Sequence, residues 1–291
     1  MLDAGTTWQV TTGPAIPLDA LVIGRPVGEV ADTLPRLFNL CRVAQSRAVR
    51  LALDLPVEPA DLKQEIIRDH LMKLYVTWPR HLARAPMPLP PGWQEGGEAL
   101  LFSLFALPFP DTPDDFRDAL MLQGGIAGTL IDLARAIPEG TGAFPRLPAI
   151  DDISAFEMTA VENSVAGRQA GHPVLREIEA KRGRDLFWRA VARVYDIAAA
   201  VRGTLPAPRL VSPGHAIVPA ARGTYAVAAS VKDGHVASFA RITPTDHLLA
   251  PGGVLASTLA ALSDGQHHLI PLALDILDPC QPVEVREAQH A

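Results

Sequence analysis

Two cysteines, Cys41 and Cys280, are the only thiols of this chain, and they lie near opposite ends of its 291 residues. As thiolates they could be soft metal ligands. As neutral thiols they could instead be apolar packing, or one disulfide. Their settings are Pro35-Arg-Leu-Phe-Asn-Leu-Cys41-Arg-Val-Ala-Gln-Ser46 and Leu277-Asp-Pro-Cys280. Three further groups carry usable chemistry: Arg222 in Ala220-Ala-Arg-Gly-Thr224, Thr245 in Ile242-Thr-Pro-Thr245, and Asp278 just before the second cysteine. Taken singly, each also reads as a turn residue. His267 and His268 have no partner at metal-ligand spacing and read as solvated. His70 falls on the inward face of a helical stretch and reads as a core histidine with its bonds satisfied.

For these groups to act together, an early helical segment must meet the end of the chain. From Glu29 to about Leu53 apolar residues recur at three and four, with Cys41 on the inward stripe and Pro35 marking a helix start within the stretch. A second helix is predicted from Pro59 to Trp78, with Asp61 in its opening turn and Pro79 ending it. Residues 85–112 are rich in proline and glycine and read as loops around one short helix, Glu98 to Ala106. Helices are predicted over 113–137, 150–167 and 172–201. In the last of these the charged residues from Arg176 to Asp185 read as a solvated face. Residues 1–28 are turn-rich, without a helix.

Beyond Pro208 the period changes. Thr224 to Val231 and His235 to Ile242 alternate around Lys232-Asp-Gly234, the signature of a β-hairpin. A helix over 253–262 then leads to the apolar run 269–277. The pattern predicts a mainly α protein with a small β part. We expect one domain over 1–291, with a helical core over about 29–205 and the hairpin and last motif over about 215–282.

With 48% hydrophobic and 20% charged residues the chain is of ordinary globular composition, and its 5% aromatic share predicts a core of Ala, Leu and Val. The net charge of −6 argues against nucleic acid as a partner, since binding a phosphate backbone needs clustered Lys and Arg. No run is long and apolar enough to span a bilayer, and the first residues lack the pattern of a signal peptide. The expected location is the cytoplasm, where thiols stay reduced.

Four segments, in order, resemble the large subunit of nickel-iron hydrogenases. Residues 35–46 are similar to that family's Arg-Ile-Cys-Gly-x-Cys-x-x-Ala-His-Ser, and Ile67-Arg-Asp-His-Leu-Met-Lys-Leu-Tyr75 to the helix that follows it. Ala220-Ala-Arg-Gly-Thr224 resembles Glu-Ala-Pro-Arg-Gly, with a hairpin and Thr245 after it. Asp278-Pro-Cys280 matches the start of Asp-Pro-Cys-x-x-Cys-x-x-His. The resemblance spans about residues 20–280 and implies a hydrogenase large-subunit-like helical core with a small sheet.

The departures decide what the resemblance implies. Phe38 stands where the first early cysteine would be, Val283 where the second late one would be, Gln45 in place of a histidine, and Arg286 in place of the terminal histidine, with His290 four residues too late. Neither Phe nor Val ligates a metal, so the four-thiolate nickel site is lost and hydrogen turnover is not expected. The family's iron, which carries cyanide and carbon monoxide, needs only two protein thiolates. Cys41 and Cys280 could supply them, although by position one matches a bridging and the other a terminal nickel ligand. Arg222 and Thr245 match the residues that donate hydrogen bonds to the cyanides, and Asp278 an acid beside that arginine.

A chain with this outline and half of the ligands looks like the hydrogenase-maturation proteins of the HupK type. The resemblance implies no enzyme but a scaffold that transiently holds the iron-dicyano-carbonyl unit, without nickel. Its implied partners are the hydrogenase large subunit and the accessory proteins that deliver iron. Only eleven residues follow Cys280, so little remains for the peptide that is removed from large subunits after nickel insertion. The alternative is a metal-free structural paralogue that acts as an interaction module, comparable to the hydrogenase-like subunit of respiratory complex I.

Overall fold

The computed structural model describes residues 8–14, 16–38, 40–57 and 61–288. Pro59 and His290 lie outside these. The chain opens with β1 (Trp8–Thr12) and α1 (Leu18–Val22), then α2 (Val27–Leu37), α3 (Arg42–Ala52) and α4 (Leu62–Met72). A π-helical turn, Lys73–Thr77, joins α4 to α5 (Trp78–His81). Next come α6 (Gly97–Phe105), α7 (Pro113–Leu122), α8 (Ala127–Ala136), α9 (Val165–Gln169), α10 (Pro173–Arg182) and α11 (Leu186–Arg202). Strands β2 (Arg209–Ser212), β3 (His215–Ala220), β4 (Gly223–Lys232) and β5 (His235–Ile242) follow, then α12 (Pro244–Leu249), α13 (Val254–Ala260), α14 (Ile270–Leu277) and β6 (Val283–Glu287). The mainly α architecture with small sheets is the one expected.

Helix α11 is the axis of the molecule. Fifteen of its residues, from Leu186 to Ala200, are buried, so it is surrounded by other elements on every side. Its apolar residues pack into one core with Leu71 and Leu74 of the α4 region, Leu101 and Leu104 of α6, Leu130 and Leu133 of α8, and Ala273 of α14. The capping side chain of Asp185 accepts from Trp188 N and starts the helix. Asp185 is wholly buried, not on the solvated face that its charged neighbours predicted.

The predicted hairpin is present: β4 and β5 pair antiparallel around Asp233-Gly234, and both turn residues have positive φ, as this two-residue loop requires. It belongs to a four-stranded sheet of order β2-β3-β4-β5. A second, two-stranded sheet pairs β1 with β6, Trp8 opposite Glu287 and Thr12 opposite Val283. Val283 and Arg286 are therefore strand residues.

Several expectations are corrected. The stretch from Glu29 to Leu53 is two helices, because the chain leaves α2 at Phe38 (φ −118°, ψ 107°) and re-enters a helix only after Cys41 (φ 52°, ψ 40°). Pro35 lies in the last turns of α2, where it helps to end a helix rather than to begin one. Pro79 sits near the start of α5 and does not stop the helical path, which runs on through the π-helical turn to His81. Residues 150–167 hold only a 3-10 turn and the short α9, beside a bridge between Ala149 and Glu162. Trp8–Thr12 and α1 structure the turn-rich start. His267 is half-buried with its ring edge-on to Trp8 at 4.7 Å, whereas His268 is exposed as expected. Among the described residues no single helix is long and apolar enough to cross a membrane.

Candidate metal-handling site

Cys41 is the N-cap of α3 in the left-handed conformation, which costs a non-glycine residue about 1 kcal/mol and needs support from its surroundings. Glu65 of α4 supplies support: its carboxylate accepts from the free helix N–H groups of Val43 (2.6 Å) and Ala44 (3.1 Å). Gln45, buried, donates to Leu40 O at 2.6 Å and braces the same turn. Burial pushes the Glu65 carboxyl up, against the pull of those two amides. Burial also pushes the Cys41 thiol up to about 12, with the Arg222 guanidinium opposing. At neutral pH Cys41 is a protonated thiol, and a bound metal would deprotonate it by coordination.

Arg222 joins the two ends of the chain. Its Nη1 donates to Cys41 Sγ at 3.3 Å, its Nε to Asp278 O at 3.1 Å, and its Nη2 to Asp278 Oδ1 at 3.2 Å and Asp69 Oδ1 at 3.5 Å. Asp278, left-handed at the end of α14, precedes Cys280 by two residues. The backbone N–H of Cys280 in turn donates to Thr245 Oγ1 at 2.8 Å. Thr245 is buried in α12, and since its oxygen accepts from Cys280, its hydroxyl hydrogen is left to donate elsewhere. Arg222, Thr245, Asp278 and both cysteine segments are thus brought into one neighbourhood, and both cysteines are free thiols.

A second tie runs beside the first. The Arg241 guanidinium stacks over the Phe38 ring at 3.8 Å, so the position of the missing early cysteine is a cation–π contact. Burial pushes the Tyr225 hydroxyl up to about 12, with the Arg241 guanidinium opposing.

Sequence reasoning missed the polar frame behind these groups. Asp278 takes Lys73 Nζ at 2.9 Å and Arg193 Nη2 at 3.0 Å in addition to Arg222. Arg193 Nη1 meets His70 Nδ1 at 3.1 Å, and His70 Nε2 meets Asp196 Oδ2 at 2.8 Å. Asp196 is held by Arg168 (Nη2, 2.6 Å) and Gln169 (2.7 Å). Arg168 then donates to Ala220 O and Gly223 O, each at 3.1 Å, on either side of Arg222. The path closes into a ring that begins and ends at the Arg222 turn. His70 is the satisfied core histidine its position predicted. The arginines hold the Asp196 carboxyl far below, and the Asp278 carboxyl at about 2 against, the ordinary carboxylate value, overcoming burial.

Gly223 makes the turn possible. Its φ is +148°, and a Cβ there would lie 2.5 Å from Asn163 Oδ1, the atom that accepts from Thr224 N. Asn163 also donates to Thr224 O and faces His247 Nδ1. A small cavity of about 30 Å³ opens beside Arg222, Thr245 and Asp278, also lined by Asn163, Arg189 and Arg193. It has room for one or two water-sized groups.

Among the described residues, no group of three or more His, Cys, Asp or Glu is placed to hold a metal ion. The donor set is two soft thiols with a buried, anion-seeking guanidinium beside them. By their chemistry such groups would suit a metal that brings its own further ligands better than a bare ion needing a full protein shell.

The fold places the chain in a known class. It superposes on a NAD+-reducing [NiFe]-hydrogenase in the H2-reduced state with a TM-score of 0.56, at 14% identity, covering 95% of this chain and 96% of the other. The Ni-Fe-Se hydrogenase of D. vulgaris Hildenborough gives 0.52 at 12% identity, covering 92% of both chains. The fold is therefore that of nickel-iron hydrogenase large subunits. No family model matches the sequence. Its curated relatives are sharper: the hydrogenase expression/formation protein HupK of Rhodobacter capsulatus is 47% identical over 283 residues, 97% of this chain and 94% of that protein. HoxV of Cupriavidus necator, also a hydrogenase expression/formation protein, is 34% identical over 79 residues, 24% of this chain and 21% of that protein. The chain belongs to the HupK family of hydrogenase expression/formation proteins.

Proposed function

We propose that this chain is a maturation factor for nickel-iron hydrogenase, not a hydrogen-activating enzyme, and that its cargo is the iron-dicyano-carbonyl unit. The names of its relatives support the maturation role. The cargo reading rests on one observation: a single buried guanidinium, Arg222, contacts the Cys41 sulfur and the segment that carries Cys280. In this reading Cys41 and Cys280 are the two thiolates offered to iron. Arg222 and the unused hydroxyl hydrogen of Thr245 are donors for anionic ligands, and the adjoining cavity is of a size for a diatomic group. Asp278 does not touch the cargo; it orients Arg222. With Phe38 and Val283 in place of thiolates, nickel finds no site, and the iron is held only until a true large subunit takes it.

Anaerobic purification from cells with an intact maturation system tests this. Iron near one equivalent, with cyanide and carbonyl infrared bands that vanish in Cys41→Ser and Cys280→Ser, is the expected result. Protein that carries neither iron nor those bands would overturn the cargo reading and favour the metal-free interaction module.

A further inference from the structure

The segment around Cys41 differs in charge from the chain as a whole. From Thr33 to Leu53 the sequence holds four arginines, Arg36, Arg42, Arg47 and Arg50, and no acid, in a chain of net charge −6. Asp32 at its border pairs with Arg50 at 2.6 Å, but Arg36 and Arg42 are exposed and flank the cysteine turn. Exposed apolar side chains occur in and next to the same segment. Leu37 is 44% and Leu40 41% exposed, and Leu21 and Ile23 of the adjoining α1 region are exposed as well.

Between α1 and α2 runs a groove of about 180 Å³, lined by Leu21, Val22, Val30, Leu34 and Leu37, with the Arg25–Glu29 pair on its rim. That volume is below the roughly 300–1,000 Å³ of a small-molecule pocket. It suits anchoring side chains on a partner's surface. The groove ends at Leu37, next to Phe38 and four residues from Cys41.

We propose that this groove, together with the exposed Arg36 and Arg42 of the segment that leaves its Leu37 end, is the docking face for another protein, which presents an amphipathic helix whose apolar stripe is flanked by Asp and Glu. The apolar stripe fills the groove, and the acids meet Arg36 and Arg42. Opposite charge fixes the register and speeds the encounter, while the apolar anchors supply the affinity. The placement deepens the maturation reading: a partner seated here has its surface against the turn that bears Cys41, where cargo would be received or released.

Site-specific photo-cross-linking in hydrogenase-producing cells tests it, with benzoylphenylalanine in place of Leu37 and, as a control on another face, of the 76% exposed Met121. The expected result is a Leu37 adduct with one other protein, mapped to a helix rich in Asp and Glu, and absent from Met121. Arg36→Glu with Arg42→Glu should weaken it about tenfold or more. Raising the salt in a cell extract should weaken it too, a readout that needs no substitution. No adduct, an adduct with a second copy of this chain or with a basic surface, an equal adduct at Met121, or indifference to both charge reversal and salt overturns the proposal. Cys41→Ser separates it from the cargo reading, since it should abolish iron and leave the adduct. Iron without an adduct sinks the docking face alone, and an adduct without iron sinks the cargo alone.

Discussion

Asp278 is where the two ends of the site are balanced, and Asp278→Asn tests whether that balance holds the fold. Three cations converge on this one buried carboxylate: Lys73 at 2.9 Å, Arg193 at 3.0 Å and Arg222 at 3.2 Å. Its carboxyl is held at about 2 against an ordinary 3.8. That difference corresponds to about 2–3 kcal/mol of stability at neutral pH. Asparagine also leaves the buried Arg193 and Arg222 and the half-buried Lys73 short of a counter-charge, so the full loss should be about 3–5 kcal/mol. The sign with pH follows from the depressed value: the contribution is complete above about pH 4 and is lost as pH falls towards 2. Denaturant unfolding at pH 7 should therefore show the variant less stable by that amount. Between pH 4 and 2 the variant should lose stability less steeply than the parent. Asp196 titrates in the same acid range but is present in both proteins, so the difference isolates Asp278. If the two proteins agree within about 1 kcal/mol at pH 7, or have the same acid slope, the carboxylate is not the keystone described here.

Gly223→Ala should lower the melting temperature sharply, at a cost of about 3 kcal/mol or more, because its Cβ would fall 2.5 Å from Asn163 Oδ1 in a backbone conformation that side chains rarely adopt. A melting temperature unchanged by this substitution would mean that the Arg222 turn can shift freely. In Cys280→Ser the remaining thiol should alkylate slowly at pH 8, with a rate still rising past pH 10, since the Cys41 thiol sits at about 12. A rate that levels off near pH 8.5 would show an exposed, ordinary thiol.

The elements legible in the sequence are those whose signals are local. The Asp233-Gly234 hairpin, the short helix after Gly96 and the apolar run before Asp278 each announce themselves within a dozen residues. The five site residues, Cys41, Arg222, Thr245, Asp278 and Cys280, were legible only as an ordered resemblance, and the structure gathers their segments. The polar frame was not legible because its signal is an absence of the expected. Arg189, Arg193 and Asp196 interrupt a helix otherwise apolar on all sides, and such charges are buried only when paired across the fold. Glu65, Asp69 and Lys73, spaced by four on α4 and the turn after it, form a charged stripe beside the buried one. That spacing was the available clue. The break between α2 and α3 leaves no mark on the apolar period, because the buried residues of the two helices are nearly in phase along the sequence.

The pairing of β1 with β6 has a consequence for the order of events in folding. Trp8 and Glu287 sit opposite each other across almost the whole length of the chain. Closing so long a loop is entropically unfavourable until intervening contacts shorten it, so the hairpin and the helices around α11 are expected to form before this clasp does. Since β6 begins three residues after Cys280, the clasp tethers the chain just beyond the late cysteine to its first strand. The clasp therefore holds the chain on the far side of Cys280 while Thr245 holds its backbone N–H, so the late cysteine is fixed from both sides.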